Sequence, residues 1–487
     1  MYRLMLYFLT VLLVVAIIYC FVGILPYNPW DIILAWVVLI FACWTTNKFL
    51  AYLFKVPTNL ESDYITGFIL TLIFTQSLYT GGNPFDALKN LVIVAVLSQL
   101  SKYILVYRGK HIFNPAGIAV LISFYLIDVG ASWWIGGAYI LPFVLIGGLL
   151  VTRKIQRFDL VLAFLISALT AFAFDNRNGD ILASIQTLVI NSSLLFFTFV
   201  MLTEPLTTPP TRKLRIVYGV LVGLLYGTYF IIGDRIVATP ELALIVGNVF
   251  SFIVSSKGRF RLMLKSKSKI AEGIYNFSFE SNHKVKFKPG QYMEWTVADA
   301  MPDSRGNRRY FTIASSPTEP NVNLGVKFYE HPSSFKTKLH ELNPGGRILA
   351  GQQAGDFTMP NDKNRKLAFI AGGIGITPFR SMIKYLIDTD EKRDVVLFYS
   401  VKNESEIAYR EVFMEAQNKL GSKIVFIETD KMGFLTPQII REHAGDYKQR
   451  LFYISGPRGM VTAFEKTLSA MGVGQMQIRV DFFPGYV

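Results

Sequence analysis

The stretch "KLAFIAGGIGITPFRSMIKYL", Lys366 to Leu386, puts Gly372, Gly373 and Gly375 between an apolar run and a helical pattern. Glycines at that spacing let backbone amides approach a pyrophosphate. Thr377 and Pro378 stand at the helix start, where proline is tolerated and the helix dipole favours an anion. The chemistry such a turn serves is the holding of a nicotinamide dinucleotide. Upstream, "RRYFTIASSP" lines up Arg309, Tyr310, Phe311 and Thr312. An arginine can pair with a phosphate, an aromatic ring can stack on an isoalloxazine, and a threonine hydroxyl can hydrogen-bond beside its redox nitrogen. Alone, this segment is equally a β-strand with a surface arginine; followed by the glycine turn, it points to flavin and nicotinamide chemistry. Hydride exchange between two such cofactors needs stacking and alignment rather than a strong acid or base.

Two kinds of scaffold have to position these residues. Residues 257–361 carry short alternating strands such as "GIYNFSFES" and "QYMEWTV", the period of an antiparallel β-barrel. Residues 362–487 alternate apolar strands, "LAFIA" and "DVVLFYSV", with helical segments, the pattern of a doubly wound α/β domain. After the second strand come Lys402, Tyr409 and Arg410. A basic side chain there serves a 2′-phosphate or merely solvent, so NADH versus NADPH stays open.

Residues 1–256 have a different character. Of the 487 residues 52% are hydrophobic, and the mean hydropathy of +0.36 is concentrated in this half. Apolar stretches near the length that crosses a bilayer lie at about 5–25, 31–54, 64–79, 85–106, 111–128, 132–151, 157–175, 184–203, 214–233 and 237–255. They predict a polytopic α-helical bundle of about ten spans in a cell (inner) membrane. Basic residues collect on one side of the connections, which places both termini and the soluble half in the cytoplasm. The net charge of +14 is read as lipid-facing flanks, not as a nucleic-acid surface. Cys20 and Cys43 are the only cysteines, too few for an iron–sulfur cluster. Five histidines occur, and only His111 lies in this half, so the four axial ligands of two haems are not available.

From Lys257 to Val487 the order of "KPGQYMEW", "RRYFTIASSP", "GVKFYEHPSSFKTKLHEL", "GQQAGDF" and the glycine turn resembles the ferredoxin–NADP reductase-like superfamily. The resemblance implies FAD in the barrel and NAD(P)H on the α/β domain. It implies that Arg309, Tyr310, Phe311 and Thr312 line the flavin, and that Ser333, Ser334 and Phe335 sit beside the FAD phosphates. The family often has tyrosine where Phe311 stands. "RLFYISGPRGM" resembles its last nicotinamide-site strand, often Cys-Gly-Pro, with Ser455 in the cysteine's place before Gly456 and Pro457. Of the terminal aromatics in "VDFFPGYV", Phe482, Phe483 and Tyr486 either cover the flavin, as the family implies, or pack as plain strand residues. Thr312, Ser455, Phe482 and Phe483 are thus the expected catalytic contacts.

In the apolar half, "ESDYITGFILTLIF", "HIFNPAGIAVLISF" and "LLFFTFVMLTEPLTTPPTRKLRIVYGVLVGLLYG" resemble successive segments of the Nqr/Rnf membrane flavoprotein family. Its members are ten-helix components of the Na⁺-translocating NADH:quinone reductase and of the Rnf complex. Asn114-Pro115 interrupts one helix near its start, and Thr203 and Glu204 end another with polar groups at a membrane edge. These three residues are the candidate contacts of a second cofactor. The family attaches a flavin covalently through a threonine after the "FNPA" helix. Here that region is "LIDVGASWWIGG", without threonine, so covalent FMN is not expected. A non-covalent FMN or riboflavin, or direct reduction of a quinone, stays open.

The expected protein is therefore a membrane flavoprotein oxidoreductase. It takes hydride from NAD(P)H onto FAD and passes electrons to a membrane flavin, a quinone or a partner carrier, with transfer across the bilayer left open. The alternative is a transporter or channel with a nucleotide-sensing, reductase-like regulatory domain.

Overall fold

The computed structural model describes residues 2–54, 60–74, 84–107, 110–232, 236–255, 259–297, 303 and 306–483. They form two compact units, residues 1–258 and 259–487.

The first unit is helical: α1 (Tyr2–Phe21), α2 (Pro29–Phe54), α3 (Leu60–Phe74), α4 (Pro84–Ile104), α5 (Pro115–Ile127), α6 (Leu141–Ile155), α7 (Phe158–Asp175), α8 (Ile181–Asn191), α9 (Leu194–Phe196), α10 (Arg212–Gly227) and α11 (Pro240–Val254). Two-residue hairpins β1 (Val106–Tyr107) with β2 (Lys110–His111), and β3 (Ile231–Ile232) with β4 (Ile236–Val237), precede α5 and α11. Every stretch expected to span a membrane contains a helix. Among the described residues, α1, α2, α4 and α7 are long and apolar enough to cross a bilayer, while α5 and α11 are shorter apolar helices. The stretch 184–203 is not one helix. It bends by 60° at Ser192–Ser193 and continues through α9 into a π-helical turn, Phe197–Met201. Two contacts mark the break: the Ser192 hydroxyl takes the Leu194 N–H at 3.1 Å, and Gly136, distant in the chain, packs against it, where an added Cβ would lie 2.6 Å from the Ser192 carbonyl carbon. Gly219 and Gly223 of α10 lie against α7 so closely that a Cβ would meet the Leu160 and Phe164 carbonyl oxygens at 2.9 and 2.6 Å. The outer faces carry exposed Val14, Ile18, Phe41, Ile146, Leu150 and Ile166.

The second unit opens with an antiparallel sheet of β5 (Phe260–Ala271), β6 (Ile274–Ser281), β7 (Tyr292–Thr296), β8 (Arg308–Thr312), β9 (Val322–Lys327) and β10 (Arg347–Ala354), with α12 (Ser334–Glu341) between the last two. Strand order is β8-β7-β10-β5-β6-β9. The sheet rolls up, because Ala314, just past β8, donates its N–H to Asn323 O of β9 at 2.8 Å. Alternate side chains fill the interior, among them Leu262, Phe277, Phe279, Met293, Trp295 and Leu324.

A parallel sheet follows: β11 (Leu367–Gly372), β12 (Val395–Val401), β13 (Lys423–Glu428), β14 (Leu451–Pro457) and β15 (Ile478–Phe483), in the order β13-β12-β11-β14-β15. Helices α13 (Thr377–Asp388), α14 (Arg410–Leu420), α15 (Thr429–Met432), α16 (Pro437–His443) and α17 (Arg458–Ala470) connect the strands. β11 and β14 are buried along almost their whole length, as a central parallel strand requires. Chain order reverses between β11 and β14, which opens a crevice at their C-terminal ends.

Candidate active site

That crevice is built by glycines. Gly373 takes φ +51°, a backbone region that favours glycine, in the short 3₁₀ turn Gly373–Ile376 ahead of α13. Gly375 has another reason: a Cβ there would lie 2.7 Å from Gly456 Cα and 2.6 Å from the Ser455 carbonyl carbon. Gly456 also lies close to Gly372, with a would-be Cβ 3.3 Å from Gly372 Cα. The turn after β11 is therefore pressed against the end of β14, with its amides at the head of α13. Thr377 and Pro378 occupy the first two positions of that helix, and the Thr377 hydroxyl donates back to Ile374 O at 3.3 Å. Backbone amides and a positive helix end in a doubly wound crevice fit a pyrophosphate.

Ser455 sits in β14 beside Ala371 of β11 and Asp481 of β15. Its hydroxyl is buried and has no hydrogen-bond partner among the described residues. An orphaned buried hydroxyl at the mouth of a nucleotide crevice is a polar group shaped for a ligand. Asp481, in register with it, is half-buried, and burial pushes its carboxyl up from 3.8 to about 6. Sequence reasoning missed Asp481. Its signal was a single acid inside the apolar strand "IRVDFF". Phe482 and Phe483 continue β15 opposite Gly456 and Pro457 by backbone register, and Tyr486 lies outside the described residues.

The barrel presents the second half of the site. The four residues of "RYFT" divide over two faces of β8. Phe311 and Arg309 turn toward α12: the Phe311 ring lies 5.7 Å from Phe335, and the Arg309 guanidinium 5.5 Å from the same ring. Tyr310 and Thr312 share the other face. Tyr310 donates toward Glu294 and Gln352, both at 3.0 Å, and Thr312 is buried at the strand end. Ser333 caps α12 by accepting from Lys336 N at 3.4 Å, which leaves Ser334 in the first turn and Phe335 fully buried beneath it. An anion already stands at that helix end. The Asp303 carboxylate accepts from Ser334 N–H at 3.1 Å and pairs with Arg309 at 3.4 Å. A carboxylate held jointly by an arginine and a helix N-terminus stands in for a phosphate oxygen, so Arg309, Ser334 and the helix end suit the FAD phosphates.

Barrel and nucleotide domain are fixed to each other by polar contacts that the sequence reading did not anticipate. Arg380 of α13 forks onto Glu319 and donates to Ala314 O at 3.1 Å, and the Ser381 hydroxyl donates to Ser315 O at 2.6 Å. The segment leaving Thr312 is thus tied to the helix that starts at the glycine turn. The would-be Cβ of Gly325 would meet the Thr377 methyl at 2.9 Å, so β9 and α13 also touch.

In the helical unit, Asn114 caps α5 by accepting from Gly117 N at 3.0 Å, and its own N–H reaches Asn248 of α11 at 2.7 Å. Thr203 back-bonds to Phe199 O at 2.7 Å. Glu204 takes the Thr207 hydroxyl at 3.1 Å and stands 3.6 Å from His111 Nε2. The threonine-free loop places Trp133 with φ +52° and its indole N–H on Glu241 at 2.7 Å.

Residues 369–466 match the family described as the oxidoreductase NAD-binding domain. Among curated proteins, the chain is similar to a flavohemoprotein of Rhodopirellula baltica (25% identity over 254 residues; 48% of this chain and 60% of that one). It is also similar to the reductase component of a stachydrine N-demethylase of Rhizobium meliloti (28% over 236 residues; 44% and 65%). The chain thus spans about two thirds or less of the length of these relatives. Among solved structures, the FAD/NAD-binding domain of a Vibrio cholerae nitric oxide dioxygenase aligns with a TM-score of 0.39 at 17% identity, over 46% of this chain and 98% of that one. The family match thus lies within the second unit, and the similarity to the flavohemoprotein and to the N-demethylase reductase extends over less than half of this chain.

Proposed function

We propose that the protein is an NAD(P)H-dependent flavoprotein oxidoreductase whose C-terminal unit feeds electrons to an acceptor held by a membrane-embedded N-terminal unit. The observation that carries the reading is the orphaned Ser455 hydroxyl at the crevice where Gly375 and Gly456 bring β11 and β14 together. FAD, when bound, supplies hydride acceptance and release of electrons one at a time. The chain supplies the rest. Arg309 and the α12 N-terminus bind phosphate, and the amides after β11 bind the dinucleotide. Ser455 and Thr312 offer hydroxyls to the reacting rings, and Asp481 holds or releases a proton beside Ser455. No side chain has to act as a strong base.

The exposed aliphatic and aromatic faces of α1, α2, α6 and α7 support a lipid surround for the N-terminal unit. Within that reading the acceptor is a non-covalent flavin or a quinone, and Glu204, His111, Asn114 and Thr203 are the polar groups offered to it. One histidine in the N-terminal half cannot supply the four axial ligands of two haems, and two cysteines are too few for an iron–sulfur cluster. The test is anaerobic addition of NADH or NADPH to the purified full-length protein in nanodiscs, followed by a soluble quinone. Loss of the oxidised-flavin absorbance, and its recovery on quinone addition, is the expected result. Nucleotide binding without flavin reduction would overturn catalysis in favour of a sensing role.

A further inference from the structure

Resting on that reading of the C-terminal unit, we infer that the nucleotide is NADH, and that carboxylates at the ends of β12 and β13, Asp430 foremost, exclude the 2′-phosphate of NADPH. A dinucleotide with its pyrophosphate on the turn after β11 has its nicotinamide toward β14 and Ser455. Its adenosine must run the other way, over the C-terminal ends of β12 and β13. Those ends are level, with Val401 in register with Glu428, and Asp430 N–H donates to Lys402 O at 3.0 Å, joining the segments that leave the two strands. The joined surface carries Glu404, Glu406, Glu428 and Asp430 against Lys402, Arg410 and Lys431.

The positive groups are largely engaged. Arg410 lies on Glu404, and Lys431 on Glu428 at 2.7 Å, while Glu406 takes Lys327 of the barrel at 2.8 Å. Asp430 is exposed on this surface. Three of the four carboxylates are thus paired, so a 2′-phosphate would arrive as a dianion beside the Asp430 carboxylate, and its best donor, the forked guanidinium of Arg410, would first have to leave Glu404. A ribose 2′-hydroxyl has the opposite requirement: it donates a hydrogen bond, and a carboxylate accepts it. Lys402, also exposed and joined to Asp430 through its backbone carbonyl, offers a single ammonium on a flexible stem and does not reverse this balance.

The experiment is steady-state oxidation of NADH and NADPH by the full-length protein with ferricyanide as soluble acceptor. Expected is a kcat/KM ratio favouring NADH by roughly 30-fold or more. Asp430→Arg should raise kcat/KM for NADPH by about tenfold or more while FAD content stays unchanged, and Glu404→Gln, which frees Arg410, should move the ratio the same way. Equal use of the two nucleotides, or a preference for NADPH, overturns the inference and leaves the oxidoreductase reading standing. An Asp430→Arg protein with full FAD and an unmoved ratio removes Asp430 as the determinant. Oxidation of neither nucleotide, in a protein that retains FAD, fails both.

Discussion

Asp481 and Arg309 are the two side chains whose environments make numerical demands. Asp481 has its carboxyl raised to about 6 by burial. Because the folded value lies above the unfolded one, the group costs nothing below about pH 4 and exerts its full penalty above about pH 6. Asp481→Asn should therefore be neutral to stability in acid and stabilising by about 1 kcal/mol at neutral pH, a value discounted for its partial exposure. Thermal unfolding across pH checks this. In kinetics, an inflection near pH 6 in kcat/KM for NADH should vanish in Asp481→Asn, and an unchanged profile would remove the proton-holding role. Arg309 makes a demand on affinity. Arg309→Ala should weaken FAD binding by roughly 10- to 100-fold, the worth of a charge-assisted phosphate contact, in a fluorescence titration of flavin-free protein. Its loss also frees Asp303, so Asp303→Asn should bind FAD at least as tightly as the unaltered chain.

At the level of elements, the two glycines of the nucleotide turn act for different reasons, and substitution separates them. Gly373 has φ +51° and open space around a would-be Cβ, so Gly373→Ala costs only backbone strain of about 1 kcal/mol. Gly375→Ala forces β14 away from the turn, since its Cβ would lie 2.7 Å from Gly456 Cα. It should raise KM for the dinucleotide well beyond the effect of Gly373→Ala, with FAD retained on the barrel. Comparison of both KM values and both flavin contents checks this. In the helical unit, Gly223→Leu pushes into the Phe164 carbonyl oxygen, 2.6 Å from a would-be Cβ, and separates α10 from α7. A loss of roughly 2–4 kcal/mol should appear as earlier unfolding of the detergent-solubilised protein, while ferricyanide reduction by NADH persists.

For the whole molecule, the informative quantity is flavin per chain and how it is held. After acid precipitation all flavin should appear in the supernatant, because the loop from Leu126 to Gly137 offers no threonine for a phosphoester. A second flavin in the N-terminal unit would make the released pool exceed one FAD per chain, with the excess as FMN or riboflavin. FAD alone at one per chain would leave a quinone as the direct acceptor. Flavin remaining on a peptide from residues 1–255 would contradict the non-covalent reading.

The features legible in the sequence were those that a few consecutive residues decide. The glycine turn declares itself because positive φ and close approach both demand the absence of a Cβ, as Gly373 and Gly375 show. The strands of barrel and sheet follow from period-two and fully apolar runs, and the start of α13 from Thr377 and Pro378. What only the tertiary structure decided was the pairing of distant segments. Parallel register sets Asp481 beside Ser455, a loop carboxylate closes on Arg309 and the α12 N-terminus, Arg380 ties the barrel to the helix after the glycine turn, and Gly136 packs against the helix break at Ser192. None of these has a local signature, because each is set by the burial and packing of segments far apart in the chain, and a side chain's own sequence neighbours carry no record of what is brought against it.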